Sequence, residues 1–171
     1  MMKNYYLISI LFLVCSCKNG SDLSQKNKFS SLNRAQAIQL SSELYQKYAV
    51  DLINFRAKEI ENQLIELDGY KLKYHLKTFG QMPQNGWSLF ISLHGGGGVD
   101  PEINERQWNR HKILYSLEQG ILITPRSPTD TWNMWHQAHI DEILNRLLQN
   151  MIASNKINPN KVFLLGYSAG G

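Results

Sequence analysis

The sequence predicts an α/β fold, and three observations carry the prediction. Apolar or β-branched runs at Trp87–Leu93, Gly120–Pro125 and 162–165 alternate with stretches of helical periodicity at 102–117 and 140–152, the pattern of parallel strands joined by crossover helices. Ahead of them, Tyr70, Leu72, Tyr74 and Leu76 alternate after Asp68-Gly69, a pair suited to a tight hairpin turn. The last strand candidate, Val162-Phe163-Leu164-Leu165, runs without a break into Gly166-Tyr167-Ser168-Ala169-Gly170-Gly171.

In chain order, residues 1–17 read as an export leader: Lys3 supplies a positive end, 5–14 is almost wholly apolar, and small Ser16 precedes Cys17. The apolar run is too short for a membrane span, which needs about 20 residues. Val14-Cys15-Ser16-Cys17 resembles a bacterial lipobox, which implies lipidation of Cys17 and an exported, membrane-anchored lipoprotein on the periplasmic or cell-surface side. A plain secretory peptide cut nearby is the other reading. Residues 18–31 are small and polar, a flexible tether with a random-coil reach of roughly 20 Å.

Between 33 and 62 there is no Gly or Pro, and Ile38, Leu44, Tyr45, Tyr48, Leu52, Phe55 and Ile60 recur near helical spacing. One long amphipathic helix, or two with a bend, is therefore expected in an N-terminal helical segment, 32–63, with packing as its role. A membrane-surface helix fits its mixed-sign polar face less well. From residue 64 the main domain is expected, opening with an antiparallel hairpin, 64–68 and 70–79. A loop over 80–86 leads to the buried strand Trp87–Leu93. The helix over 102–117 offers Ile103, Trp108, Ile113, Leu114 and Leu117 as one face and stops before Gly120. The next helix carries Ile140, Ile143, Leu144, Leu147, Leu148, Met151 and Ile152, and Asn158-Pro159 returns the chain to the last strand.

A length of 171 residues suits one domain, and 43% apolar with 11% aromatic residues suits a globular core. The net charge of +4 is scattered without a basic block, so no nucleic-acid partner is expected. Both cysteines, Cys15 and Cys17, fall in the leader. A thiol nucleophile and a thiolate metal site are thereby excluded from the rest of the chain.

A serine placed on a very sharp strand-to-helix turn needs residues without Cβ two positions before and two after it, and Gly166 and Gly170 stand there. An earlier strand also ends in His94-Gly95-Gly96-Gly97-Gly98. On these motifs residues 64–171 resemble the N-terminal part of an α/β-hydrolase-fold serine esterase, similar to the bacterial carboxylesterase, feruloyl-esterase and polyhydroxybutyrate-depolymerase-like branch. The resemblance implies hydrolysis of small-molecule or polymer-linked carboxylic esters through an acyl-enzyme on Ser168, with no cofactor and no metal. It also implies a triad in which the acid and the histidine follow the nucleophile. None of His75, His94, His111, His136 and His139 follows Ser168, so the base and acid are expected beyond residue 171. The chain, ending three residues after the serine, is expected to be a truncated product with an unpaired apolar edge at 162–165 and no activity alone. The alternatives are a prolyl-oligopeptidase-like serine peptidase and a non-catalytic exported lipoprotein that kept the fold.

Attack on an ester carbonyl places negative charge on its oxygen, which fixed backbone N–H groups stabilise. Ala169, directly after the nucleophile, is one expected donor. Gly96 and Gly97 are the others by resemblance to His-Gly-Gly-Gly lipases and esterases, with a register open by one residue because four glycines are consecutive. His94 is expected to hydrogen-bond the glycine loop. Trp132 and Trp135 follow a strand's C-terminal end, where α/β sheets bind ligands, and either wall a substrate pocket or pack the next helix onto the sheet. His136 and His139 lack a third ligand in a recognised spacing, so no metal pair is expected, and Asp130 and Asp141 read as helix-start carboxylates.

Overall fold

The computed structural model describes residues 31–171; the export leader with Cys17 and the tether up to residue 30 lie outside the described residues. By its internal contacts the chain divides into Met1–Ile38 and Gln39–Gly171, and everything below except the start of the first helix belongs to the second unit. Helix α1 (Arg34–Phe55) opens with a reciprocal cap: Gln36 N–H donates to Asn33 Oδ1 at 2.9 Å, and Asn33 N–H donates to Gln36 Oε1 at 3.0 Å. Arg56 leaves helical geometry, and the short helix α2 (Ala57–Asn62) follows at a bend. Polar contacts fix this bend, since Arg56 Nη1 donates to Gln149 and Asn150, and Arg146 pairs with Glu59. The expected packing role of the stripe is corrected: Leu52 alone in α1 is buried, while Ile38, Leu44, Tyr45, Tyr48 and Phe55 are exposed. No helix among the described residues is long and apolar enough to cross a membrane.

Strands β1 (Leu64–Leu67) and β2 (Tyr70–Phe79) form the antiparallel hairpin, with Asp68 and Gly69 both at positive φ, 48° and 82°. β2 also pairs antiparallel with β4 (Gly120–Pro125), which lies parallel to β3 (Trp87–Leu93). β3 in turn lies parallel to β5 (Ile157–Gly166), giving a five-stranded mixed sheet in the order β1-β2-β4-β3-β5. β5 begins five residues earlier than the apolar run suggests, and a register shift against β3 between Trp87 and Leu89 absorbs its polar start. It is an edge strand, with Phe163 and Leu164 exposed.

The two faces of the sheet are filled differently. Leu89, Ile91, Leu93, Ile121 and Ile123 point to one face and pack against Ile140, Ile143, Leu147 and Met151 of α4 (Ala138–Ser154). Burying each of these side chains contributes about 1.5–3 kcal/mol, so this layer is the main source of stability. The alternate residues meet α3 (Pro101–Leu114), which starts with Pro at a position where its missing N–H costs nothing. The buried face of α3 is Asn104, Trp108 and His111, whereas Ile113 and Leu114 of the expected face are exposed and Leu117 lies past the helix. Trp108 Nε1 donates to Thr124 O at 2.7 Å, and His111 Nδ1 lies 3.0 Å from Ser92 Oγ. This face is thus joined by polar contacts where the α4 face is joined by aliphatic ones.

Candidate active site

β5 ends at Gly166, and Ser168–Gly170 forms a single 3-10 turn. Ser168 has φ 53°, an unfavourable region for a residue with a side chain, and it is solvent-exposed. Both flanking glycines are required by contact. A Cβ on Gly166 would collide with Gly170 O, and one on Gly170 with Leu93 O. The turn is therefore held by backbone packed directly on backbone, and Gly170 N–H donates to Tyr167 O at 2.9 Å.

The loop after β3 reaches the same place. A Cβ built on Gly95 would lie 3.1 Å from Ser168 Cβ, so the glycine loop abuts the serine. Gly96 and Gly97 have φ 123° and 113°, values that L side chains rarely adopt. Their N–H groups differ in one respect that the sequence hides. Gly97 N–H donates to Asn104 Oδ1 at 3.0 Å, while Gly96 N–H and Ala169 N–H have no hydrogen-bond partner among the described residues. Of the expected oxyanion donors, Gly96 and Ala169 are free; Gly97 is already engaged.

His94 is fully buried and uses both ring nitrogens. Its Nδ1 lies 2.7 Å from Gly95 O and must donate; Nε2 accepts from Ser127 N–H at 3.1 Å. Burial, reinforced by nearby Arg126 and only partly opposed by the Gly95 bond, lowers its pKa to about 4, so the ring is neutral. Trp135 is buried too, and its Nε1 donates to His94 O at 2.8 Å, so it packs against the loop. Trp132 is 80% exposed, with its backbone against Gly97 and Gly98.

Asp130 is not a helix-start carboxylate, because α4 begins at Ala138; Asp141 does lie in the first turn of that helix. Asp130 instead pairs with Arg126 and accepts from Asn104 Nδ2 at 2.7 Å. Burial would raise its pKa, but these hydrogen bonds outweigh it and hold the carboxyl below the ordinary range. The Arg126 side chain is 8% exposed and also donates to Ser127 O. His136 is exposed, His139 stacks on Tyr70, and no metal-binding group of three ligands exists among the described residues. His111 and Tyr167 line a cavity of about 180 Å³ with Gln107, Arg110 and Leu114, which includes neither Ser168 nor the glycine loop.

Asn104, Arg126 and Ser127 were not legible as site residues. One signal existed: Asn104 shares the spacing of Trp108 and His111 on a buried helix face, where a polar amide needs partners. Comparison with protein-family models, with curated proteins and with solved structures finds no match.

Proposed function

We propose that the chain carries the nucleophile and oxyanion half of an α/β-hydrolase-type serine esterase. The observation that carries this reading is the backbone of Ser168: a non-glycine residue at φ 53°, exposed at the end of β5, between glycines that no other residue can replace. Backbone strain at an exposed nucleophilic side chain, beside a loop with a free N–H, is what acyl transfer requires. Ser168 Oγ attacks the ester carbonyl, the alkoxide leaves, and water then releases the acid from the acyl-enzyme. Gly96 and Ala169 N–H groups hold the carbonyl oxygen as it gains charge.

The general base is assigned beyond residue 171. No histidine among the described residues is hydrogen-bonded to Ser168; both nitrogens of His94 are engaged, and Nδ1 of His111 is paired with Ser92. The test uses the protein extended by its natural downstream sequence, assayed with p-nitrophenyl esters and a fluorophosphonate probe. Labelling and turnover that vanish in Ser168→Ala support the reading; turnover that survives this change moves the nucleophile elsewhere, and no labelling at all favours a non-catalytic protein. A separate proposal, from the lipobox resemblance of Val14-Cys15-Ser16-Cys17, is that lipidated Cys17 anchors the protein at a membrane. Cys17→Ala should release it into the soluble fraction or block its processing, and a wholly soluble unaltered protein removes the anchor.

A further inference from the structure

We infer that Asn104 is a positioning residue of the oxyanion site, which acts with His94 to pin three successive peptide planes of the glycine loop and leaves Gly96 N–H as the loop's donor. The inference rests on the esterase reading for its catalytic consequence, but the clamp itself is geometric. Each trans peptide carries a C=O and the next residue's N–H on opposite edges of one plane, and the chain has no cis bond among the described residues. The Gly95 C=O is held by His94 Nδ1, so the Gly96 N–H on the same plane points away from His94. The next plane is held where Gly97 N–H donates to Asn104 Oδ1, at 3.0 Å. The third is held where Asn104 Nδ2 donates to Gly97 O, at 2.8 Å.

One amide thus grips both polar groups of Gly97, and its own orientation is determined. Its second Nδ2 hydrogen goes to Asp130, which Arg126 holds from the other side. Flipping the amide would set its oxygen against a carbonyl and a carboxylate and its NH2 against an N–H. Space enforces the same arrangement, because a Cβ on Gly96 would collide with Asn104 Oδ1. Asn104 is fully buried, while Gly96 is exposed between buried Gly95 and Gly97. A loop of four glycines has the largest conformational freedom of any sequence, and a donor must be fixed in advance to stabilise charge as it forms. Packing alone does not account for the arrangement, since well-packed apolar groups often stabilise at least as well as a part-buried Arg–Asp–Asn chain.

The experiment combines amide hydrogen exchange with kinetics on the protein extended by its natural downstream sequence. In the unaltered protein Gly97 N–H should exchange at least about tenfold more slowly than Gly96 N–H, and Asn104→Leu should abolish the difference while Ile91 and Ile123 stay protected. kcat for a p-nitrophenyl ester should fall about 10²-fold in Asn104→Leu and Asn104→Asp, with KM changed less than about threefold. Asn104→Asp sets two carboxylates side by side, so the exchanged pair Asn104→Asp with Asp130→Asn should recover part of kcat. Should Asn104→Leu fail to fold, the exchanged pair and Asn104→Asp decide alone. Equal exchange at Gly96 and Gly97 in the unaltered protein overturns the clamp whatever the activity. Normal kcat in the Asn104 variants overturns its catalytic role, and absence of Ser168-dependent turnover in the unaltered protein overturns the esterase reading while exchange still reports on the clamp.

Discussion

The glycine loop and the serine turn meet within van der Waals distance, yet they are held in opposite ways. Around the loop, side chains from the residue after β3, from α3 and from the segment after β4 converge: His94, Asn104, Arg126, Ser127 and Asp130 form a continuous set of hydrogen bonds. Around the serine there is no such set among the described residues. Backbone atoms of Gly166, Gly170 and Leu93 pack so closely that no Cβ fits, on a strand whose outer edge is open. On the proposed esterase reading, the contrast matches what each part would supply. A fixed N–H direction needs hydrogen bonds on neighbouring peptides, whereas an exposed hydroxyl on a strained residue needs steric exclusion of every relaxed alternative.

The largest effect should come from the sterically held side. Gly166→Ala or Gly170→Ala places a methyl group against backbone that cannot rotate away, so the turn must open. Displacing Ser168 by about 1 Å costs on the order of 10²-fold in turnover, and a collision this severe should cost at least that. The check is kcat and melting temperature of both variants in the downstream-extended protein; unchanged kcat would mean that the serine is not held by these contacts.

The hydrogen-bonded side should instead show itself through pH. His94 is depressed from 6.5 to about 4 in the fold, so between these values the unfolded chain takes up a proton that the folded one refuses. Stability from this group is therefore full above about pH 6.5, falls as the pH drops, and levels off below about pH 4; the whole change is about 3 kcal/mol. Urea midpoints between pH 7 and pH 4 measure it. A non-titrating His94→Gln variant should have lower stability at pH 7 and a flatter profile, and an equally steep profile would assign the titration to another group.

The smallest effects separate the two tryptophans. Trp135→Phe removes the bond to His94 O and leaves an acceptor in the core, at a cost of about 1–3 kcal/mol. Trp132→Ala, at a residue 80% exposed, should change stability by less than about 0.5 kcal/mol. If Trp132 contacts substrate, its removal raises KM for aryl esters more than for acetate esters of small alcohols. An equal change in KM for both classes leaves it as surface beside the loop.

Much of this molecule is local and therefore readable in one dimension. Alternation in β2, the apolar runs of β3 and β4, the stripe of α4 and the Asp68-Gly69 turn each depend on neighbours within a few residues, and the α/β class follows from their order. The Gly-x-Ser-x-Gly turn is legible for the same reason, since the Cβ exclusion at Gly166 and Gly170 acts on positions fixed by sequence distance. What required the tertiary structure is whatever depends on which distant groups meet. The stripe of α1 is helical but mostly unburied, because periodicity reports a potential face and not whether anything packs on it. Asp130 looks like a helix-start carboxylate until α4 begins eight residues later and Arg126 and Asn104 converge on it. Four consecutive glycines are equivalent as letters; only the fold, by bringing Asn104 from α3 and His94 from the end of β3 to either side, makes Gly97 the held residue and Gly96 the one with a free N–H.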